Sequence, residues 1–340
     1  MAEGDSRDRR RFLLFLAIGA SVIGAIASGL HFLSRIAPRP IQRTPVATPT
    51  TATPTIQTPA QIAIPTPHIV VKRVDKAPID PTSNLWSLSR EYNVELVGQT
   101  MTYPLNPTPA VNSVRVRALH DGEYIAFRLE WLDREANVDV LDINRFADQC
   151  AVMLLPYGIP GEELSRAWQM GSKSYPATIL NWRADWQADV DKGRMEIEDL
   201  YPNIAIDGYP PYSGTIANEG KPARLSEMPQ EALKWLAGLR AGNIMSEPKR
   251  ASPVAKLVGR GPGTITPFRT QDASGKGVWV NGVWSVVLAK PLRASDKDLG
   301  EIDLRPGDLF YIAFAIWEGG RGERGGRKAI SDLLLAKLEG

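Results

Sequence analysis

Apolar and polar positions alternate with a period of two along much of this chain, most cleanly in NSVRVRALHDGEYIAFRLEWLD, which starts at Asn112. Val114, Val116 and Ala118 point to one side and Arg115 and Arg117 to the other, His120-Asp121-Gly122 turns the chain, and Ile125, Phe127, Leu129 and Trp131 alternate on the return. That pattern predicts a β-hairpin with one buried face. The folded region is expected to begin near Ile69 with the short apolar run HIVVKRV. In YNVELVGQTM, Val94, Leu96 and Gly98 alternate against Glu95 and Val97, and QCAVMLLP and PATILNWRADW read as further buried strands. In VWVNGVWSVVLAKPL the Asn281-Gly282 pair predicts a tight turn between two strands, and DLFYIAFAIWEG supplies another. Many short strands separated by Gly, Pro, Asp and Asn predict an all-β fold, an antiparallel β-sandwich. Between Asp185 and Gly263 the alternation loosens, which predicts a helical and loop insertion packed over one end of the sandwich. Its expected helix is PQEALKWLAGLRAGN, with Ala232, Trp235, Leu236 and Leu239 on one face and Gly242-Asn243 as its stop; YPNIAIDGYPPYSG, from Tyr201, reads as loop.

Ahead of this domain the pattern changes twice. Residues 1–11 are basic, and an uncharged run from Phe12 to Leu33 follows. At the helical rise that run reaches roughly 30 Å, enough to cross a membrane. Residues 12–34 are therefore expected to be a transmembrane anchor. A removed signal sequence is the competing reading, because RRRFLLF resembles a twin-arginine signal and AIAS at Ala25–Ser28 offers small residues for cleavage. Either way the rest of the chain is expected outside the cytoplasm, on the periplasmic or extracellular face. Residues 35–68 are rich in Thr and Pro with few bulky side chains, the composition of an extended linker reaching up to ~90 Å. Residues 69–340 form the predicted domain.

Composition narrows the chemistry. Forty Lys and Arg against 38 Asp and Glu leave a net charge of +2, so no nucleic-acid partner is expected. The single cysteine, Cys150, excludes an intrachain disulfide and Cys-only zinc or iron–sulfur sites, and no C-x-x-C-H run is present for covalent haem. His31, His68 and His120 are scattered, which argues against a His-rich metal centre. Serine-nucleophile, H-E-x-x-H and Walker signatures are missing. GRGPG at Gly259–Gly263 reads as a turn; Asp133, Asp148 and Asp185 fall at strand ends, as turn caps do. Trp131, Trp182, Trp186, Trp279, Trp284 and Trp317 are expected to fill the core, with a sugar-stacking platform as the other use of such rings. No catalytic residue is expected.

Six segments in order, IAFRLEWLD, FADQCAVMLLP, MGSKSYPATILNWRADW, LVGRGPGTITPF, VWVNGVWSVVLAKPL and YIAFAIWEGGRGERGGRKAIS, resemble the haem-binding domain of the ethylbenzene dehydrogenase γ-subunit family. That family includes γ-subunits of dimethyl sulfide, selenate and chlorate oxidoreductases and similar subunits of nitrite oxidoreductases. The resemblance spans roughly Ile69 to Leu338. It implies a β-sandwich holding one non-covalent haem b between a methionine and a lysine, and a non-catalytic electron-transfer role. The partners it implies are a molybdenum catalytic subunit, an iron–sulfur subunit and an external carrier such as a c-type cytochrome. Carried onto this chain, the methionine falls on Met170 and the lysine on Lys328. A thioether suits ferrous iron, and an amine can ligate only when deprotonated, so the pocket must be dry. Taken alone, Met170 would read as core filler and Lys328 as part of a solvated basic loop with Arg321, Arg324 and Arg327. Met101, Met153, Lys173, Lys290 and His120 are rival ligands, and Arg183 and Arg260 are candidates for the haem propionates. From a different class, an anchor and stalk would equally suit display of a carbohydrate-binding module or a haem-free scaffold subunit.

Overall fold

The computed structural model describes residues 66–203, 225, 228 and 230–340. The expected anchor, nearly all of the linker and most of the loop from Tyr201 lie outside them. No helix among the described residues is long and apolar enough to cross a membrane.

Period-two alternation becomes strand almost everywhere it occurs. In chain order the strands are β1 (Ile69–Arg73), β2 (Tyr92–Glu95), β3 (Val97–Gly98), β4 (Ser113–His120), β5 (Tyr124–Leu132), β6 (Gln149–Pro156), β7 (Ala177–Arg183), β8 (Val254–Gly259), β9 (Thr266–Pro267), β10 (Ser274–Val280), β11 (Val283–Pro291), β12 (Leu309–Trp317), β13 (Ala329–Ile330) and β14 (Leu334–Leu338). The β4–β5 and β10–β11 hairpins form as expected, and Asn281 and Gly282 both take the left-handed conformation that a two-residue hairpin turn requires. The principal path through the sheet runs β10-β11-β5-β4-β1-β14-β12-β6-β7-β8-β9.

The sheet is mixed rather than antiparallel. β1 pairs in parallel with β14 on one side and with β4 on the other, joining two otherwise antiparallel arms. The apolar sides of both arms share one core: Val116, Phe127 and Val286 from one pack in the same cluster as Val152, Leu180 and Phe314 from the other. At its centre Trp131 and Trp284 stack with ring centroids 6.3 Å apart, and Trp182 meets Trp284 edge-on at 4.9 Å. Trp131, Trp182, Trp186, Trp284 and Trp317 are buried and Trp279 partly so, as expected for core aromatics.

Two helical expectations need correction. The strand predicted over PATILNWRADW stops at Arg183, and Ala184–Lys192 forms a helix, α2, after the short α1 (Gly161–Ala167). Asp185 in the first turn of α2 suits the positive end of the helix dipole. The single helix predicted from Pro229 to Asn243 is instead two one-turn pieces, Gln230–Leu233 and Ala237–Arg240, broken at the extended Leu236. Trp235, expected on the buried face, is 66% exposed. Gly238 weakens the helix there, as a glycine inside a helix does.

Lys256, Lys290 and Glu301 form a buried charged cluster, with the partly exposed Asp272 at its edge. Glu301 lies 2.9 Å from Lys256 Nζ and 3.2 Å from Lys290 Nζ, and Asp272 lies 2.6 Å from Lys256. Glu301 also accepts the backbone N–H groups of Ser295 and Asp296. Both lysines thus have carboxylate partners, which the burial of a charge demands.

Candidate functional site

On β6, Cys150, Val152 and Leu154 enter the core, so Gln149, Ala151 and Met153 face the opposite side. The same alternation presents Ile179, Asn181 and Arg183 on β7, Leu257 on β8, and Ala313, Ala315 and Trp317 on β12. These residues floor a cavity of about 680 Å³, within the range of small-molecule and cofactor sites. Ala151 pairs directly with Ala315, and Ala313 with Met153, so the middle of the floor is low and flat.

Met170 and Lys328 meet in this cavity. Lys328 Nζ donates a long hydrogen bond of 3.8 Å to Met170 Sδ, across 158 positions of sequence. Met170 follows α1 and takes φ +72°, a left-handed conformation rare for a residue with a side chain. It is held there by three contacts: its N–H donates to Trp168 O at 2.9 Å, Gly261 N–H donates to its carbonyl at 3.1 Å, and Gly171 N–H donates to Ala167 O at 2.6 Å. Such strain persists only where the surroundings over-determine it, and it gathers at ligand sites. Gly171 must be glycine: φ is +83°, and a Cβ would lie 2.2 Å from Gly259 O. Gly171→Ala is therefore expected to cost about 3 kcal/mol, measured from the shift of a urea unfolding midpoint. An unchanged midpoint would count against this account of the turn.

Lys328 does not sit in a solvated loop. Gln99 Nε2 donates to Gly326 O at 2.8 Å, and its backbone N–H donates to Lys328 O at 3.1 Å. Trp317 Nε1 donates to Gly325 O at 3.0 Å. Glu323, 2% exposed, accepts from Asn106 Nδ2, Ala110 N–H and Glu318 N–H. So pinned, the loop carries Lys328 inward, 91% buried, with its ammonium 5.1 Å from the Trp317 ring and no carboxylate partner. Burial alone pushes its pKa down to about 8. Lys256 and Lys290, the other buried lysines, are ion-paired; Lys328 is the one among the described buried lysines whose amine faces a soft sulfur instead.

The rival ligands fall elsewhere or hold lesser places. Met101 and Met153 line the cavity; Lys173 and Lys290 do not. His120 is fully buried on β4, outside the cavity lining, with neither ring nitrogen hydrogen-bonded. Arg183 lines the cavity and is paired with Asp185 at 2.8 Å, whereas Arg260 lies outside the lining and donates to Leu299 O. Arg324 does line it, its guanidinium 4.1 Å from the Phe146 ring. Sequence reasoning placed Arg324 among the basic loop residues without a role, and nothing local marked Gln99, Asn181 or Trp168 as part of the wall.

A thioether and an unpaired, partly neutral amine converging in an apolar slot fit a haem iron, and two arginines at the lining suit its carboxylates. They do not fit a divalent metal held by carboxylates or imidazoles, since the lining offers neither.

Residues 83–329 match the ethylbenzene dehydrogenase family. A Haloferax mediterranei protein named as a respiratory nitrate reductase heme subunit is 23% identical over 81% of this chain and 74% of its own length. The chlorate reductase subunit gamma of Ideonella dechloratans is 36% identical over a shorter stretch, 22% of this chain and 30% of that protein. Among solved structures, a family 9 carbohydrate binding module from Caldicellulosiruptor kristjanssonii in complex with glucose covers 80% of this chain and 95% of its own at 11% identity and a TM-score of 0.39, too slight a likeness to bear on fold or ligand.

Proposed function

The chain belongs to the ethylbenzene dehydrogenase family, and we propose that it is a haem-carrying, non-catalytic electron-transfer subunit of a reductase complex, in which Met170 and Lys328 would hold the haem iron. The observation that carries this reading is the 3.8 Å approach of an uncompensated buried amine to a thioether in a cavity of cofactor size. The heme subunit and gamma subunit names of the two relatives support it.

A bound haem b supplies a one-electron carrier whose potential is set by its axial ligands and burial. The protein's own contributions follow from the geometry. Burial keeps the Lys328 amine easy to deprotonate, so its lone pair is available near neutral pH. Trp317, Met153, Ile179 and Leu257 exclude water, and Arg183 and Arg324 offer guanidinium groups to propionates. Substrate chemistry resides in a molybdenum catalytic subunit, and an iron–sulfur subunit and an external carrier such as a c-type cytochrome complete the electron route. The main domain works outside the cytoplasm, tethered through residues 12–34.

The test is spectroscopic. The purified full chain supplied with haem should show a Soret band and a low-spin six-coordinate spectrum. Met170→Ala and Lys328→Ala should each convert it to high spin or lose the pigment, while Met153→Leu should leave it intact. A colourless wild-type chain, or low-spin haem unchanged in both alanine variants, would sink the assignment.

A further inference from the structure

Three strand ends meet at acidic residues that do not line the cavity. Asp133 immediately follows β5, Asp148 immediately precedes β6, and Glu318 immediately follows β12. One carboxylate oxygen from each lies within 4.8 Å of the others. Asp133 is 4% exposed and Asp148 fully buried, and among the described residues no lysine or arginine is ion-paired with any of the three. Asp148 is well supplied with donors, accepting Gly319 N–H at 2.8 Å on Oδ1 and Asn137 N–H and Trp284 Nε1–H at 2.7 and 3.0 Å on Oδ2. The other two are not: Asp133 Oδ2 and Glu318 Oε2 are buried without a hydrogen-bond partner. The Trp131 indole N–H acts on Asp133 but makes no hydrogen bond of ordinary geometry.

Two orphaned carboxylate oxygens on different residues, beside a third carboxylate, are costly in a dry site unless something positive joins them. We propose that Asp133, Asp148 and Glu318 bind a calcium ion. The donor set is all oxygen, which selects a hard cation. Ca²⁺ holds its ligand oxygens at about 2.3–2.6 Å in flexible geometry, and oxygens that all lie within 4.8 Å of one another can reach one such ion. Ca²⁺ also accepts dense protein ligation with little retained water, as this burial demands. Burial raises the pKa of all three acids, that of Asp148 to about 7, with Asp133 adding repulsion at Asp148. A cation here would staple the chain after β5 to the start of β6 and to the root of the loop that carries Lys328. The site is independent of whether haem occupies the cavity.

The experiment uses the full chain, stripped with EGTA and dialysed against buffer containing CaCl₂ and then against buffer without it. Elemental analysis should find about one calcium per chain. Melting in 1 mM CaCl₂ should exceed melting in EGTA by about 5 °C or more, with MgCl₂ giving a smaller rise. The Asp133→Asn/Glu318→Gln double variant should retain no calcium and show no calcium-dependent shift. A wild-type chain that holds no calcium and melts alike in CaCl₂ and EGTA overturns the proposal, leaving shared protons as the glue. A folded double variant that keeps its calcium overturns the assignment of these residues. Should that variant fail to fold, the wild-type measurements alone decide.

Discussion

Lys328→Met is expected to make the haem-free chain about 3 kcal/mol more stable at pH 7 while removing one of the two proposed haem ligands. The wild-type amine has its pKa near 8 when folded, against 10.5 for the free side chain, because it is desolvated with no carboxylate beside it. The sign follows from proton binding. Below pH 8 both folded and unfolded chains hold the proton, and the folded state bears the full cost of a buried charge. Between pH 8 and 10.5 the unfolded chain binds more protons, so wild-type stability rises with pH. Methionine has similar length and no charge, so the variant should be flat across that window. Urea midpoints at pH 7 and pH 10 measure both effects; equal wild-type and variant midpoints at pH 7 would show the amine is not buried as described. The same proton opposes ligation, so apparent haem affinity through Lys328 should fall about tenfold per pH unit below 8. A residue that costs stability without its ligand and is required with it behaves as a site, not as packing.

Glu301→Ala is expected to be the most destabilising single change in the domain, at about 5 kcal/mol or more. It leaves the fully buried Lys290 without a carboxylate, removes one of the two carboxylates at Lys256, and frees the Ser295 and Asp296 N–H groups in one step. Glu301→Gln keeps the shape and some hydrogen bonds but not the charge, so it should fall between wild type and alanine. Lys256 and its β8 neighbour Leu257 point to opposite faces, and only Leu257 reaches the cavity. Whatever fraction of Glu301→Gln stays folded should therefore bind haem with an unaltered spectrum. Denaturant midpoints and the Soret band of the folded fraction check the two halves; an alanine variant as stable as wild type would mean the cluster's ionic bonds matter little.

The fold was legible wherever one face of a strand is buried and the other is not, as in the β4–β5 hairpin, because side chains then repeat every second residue. It was less legible where partners are distant. Nothing in IVVKR announces that β1 runs parallel to strands on both sides, since that choice is made by segments about 45 and 265 positions away. The helix at Pro229–Asn243 failed because helical spacing does not by itself secure burial: the chain breaks at Leu236 and Trp235 is exposed.

The site divides in the same way. Met170 and Lys328 were reachable only through a family resemblance, because residue type alone favours core filler and a solvated loop. What turns that loop inward is Gln99 and Asn106, which bond Gly326 and Glu323 from more than 200 positions away, with Trp317 bonding Gly325 from the end of β12. Asp133 and Asp148 read as turn caps, and Asp148 does accept backbone N–H groups as a cap would. Their meeting with Glu318 is a tertiary fact that no spacing encodes.

The parallel seating of β1 has a mechanical side. Chain leading into Ile69 enters the joint between the two arms, bonded along Ile69–Val71 to one neighbour and along Lys72–Arg73 to the other. A pull from that end is directed along the strand axis, so its interstrand bonds are loaded together rather than peeled one after another. Traction at the leading end is thus met by both halves of the core at once.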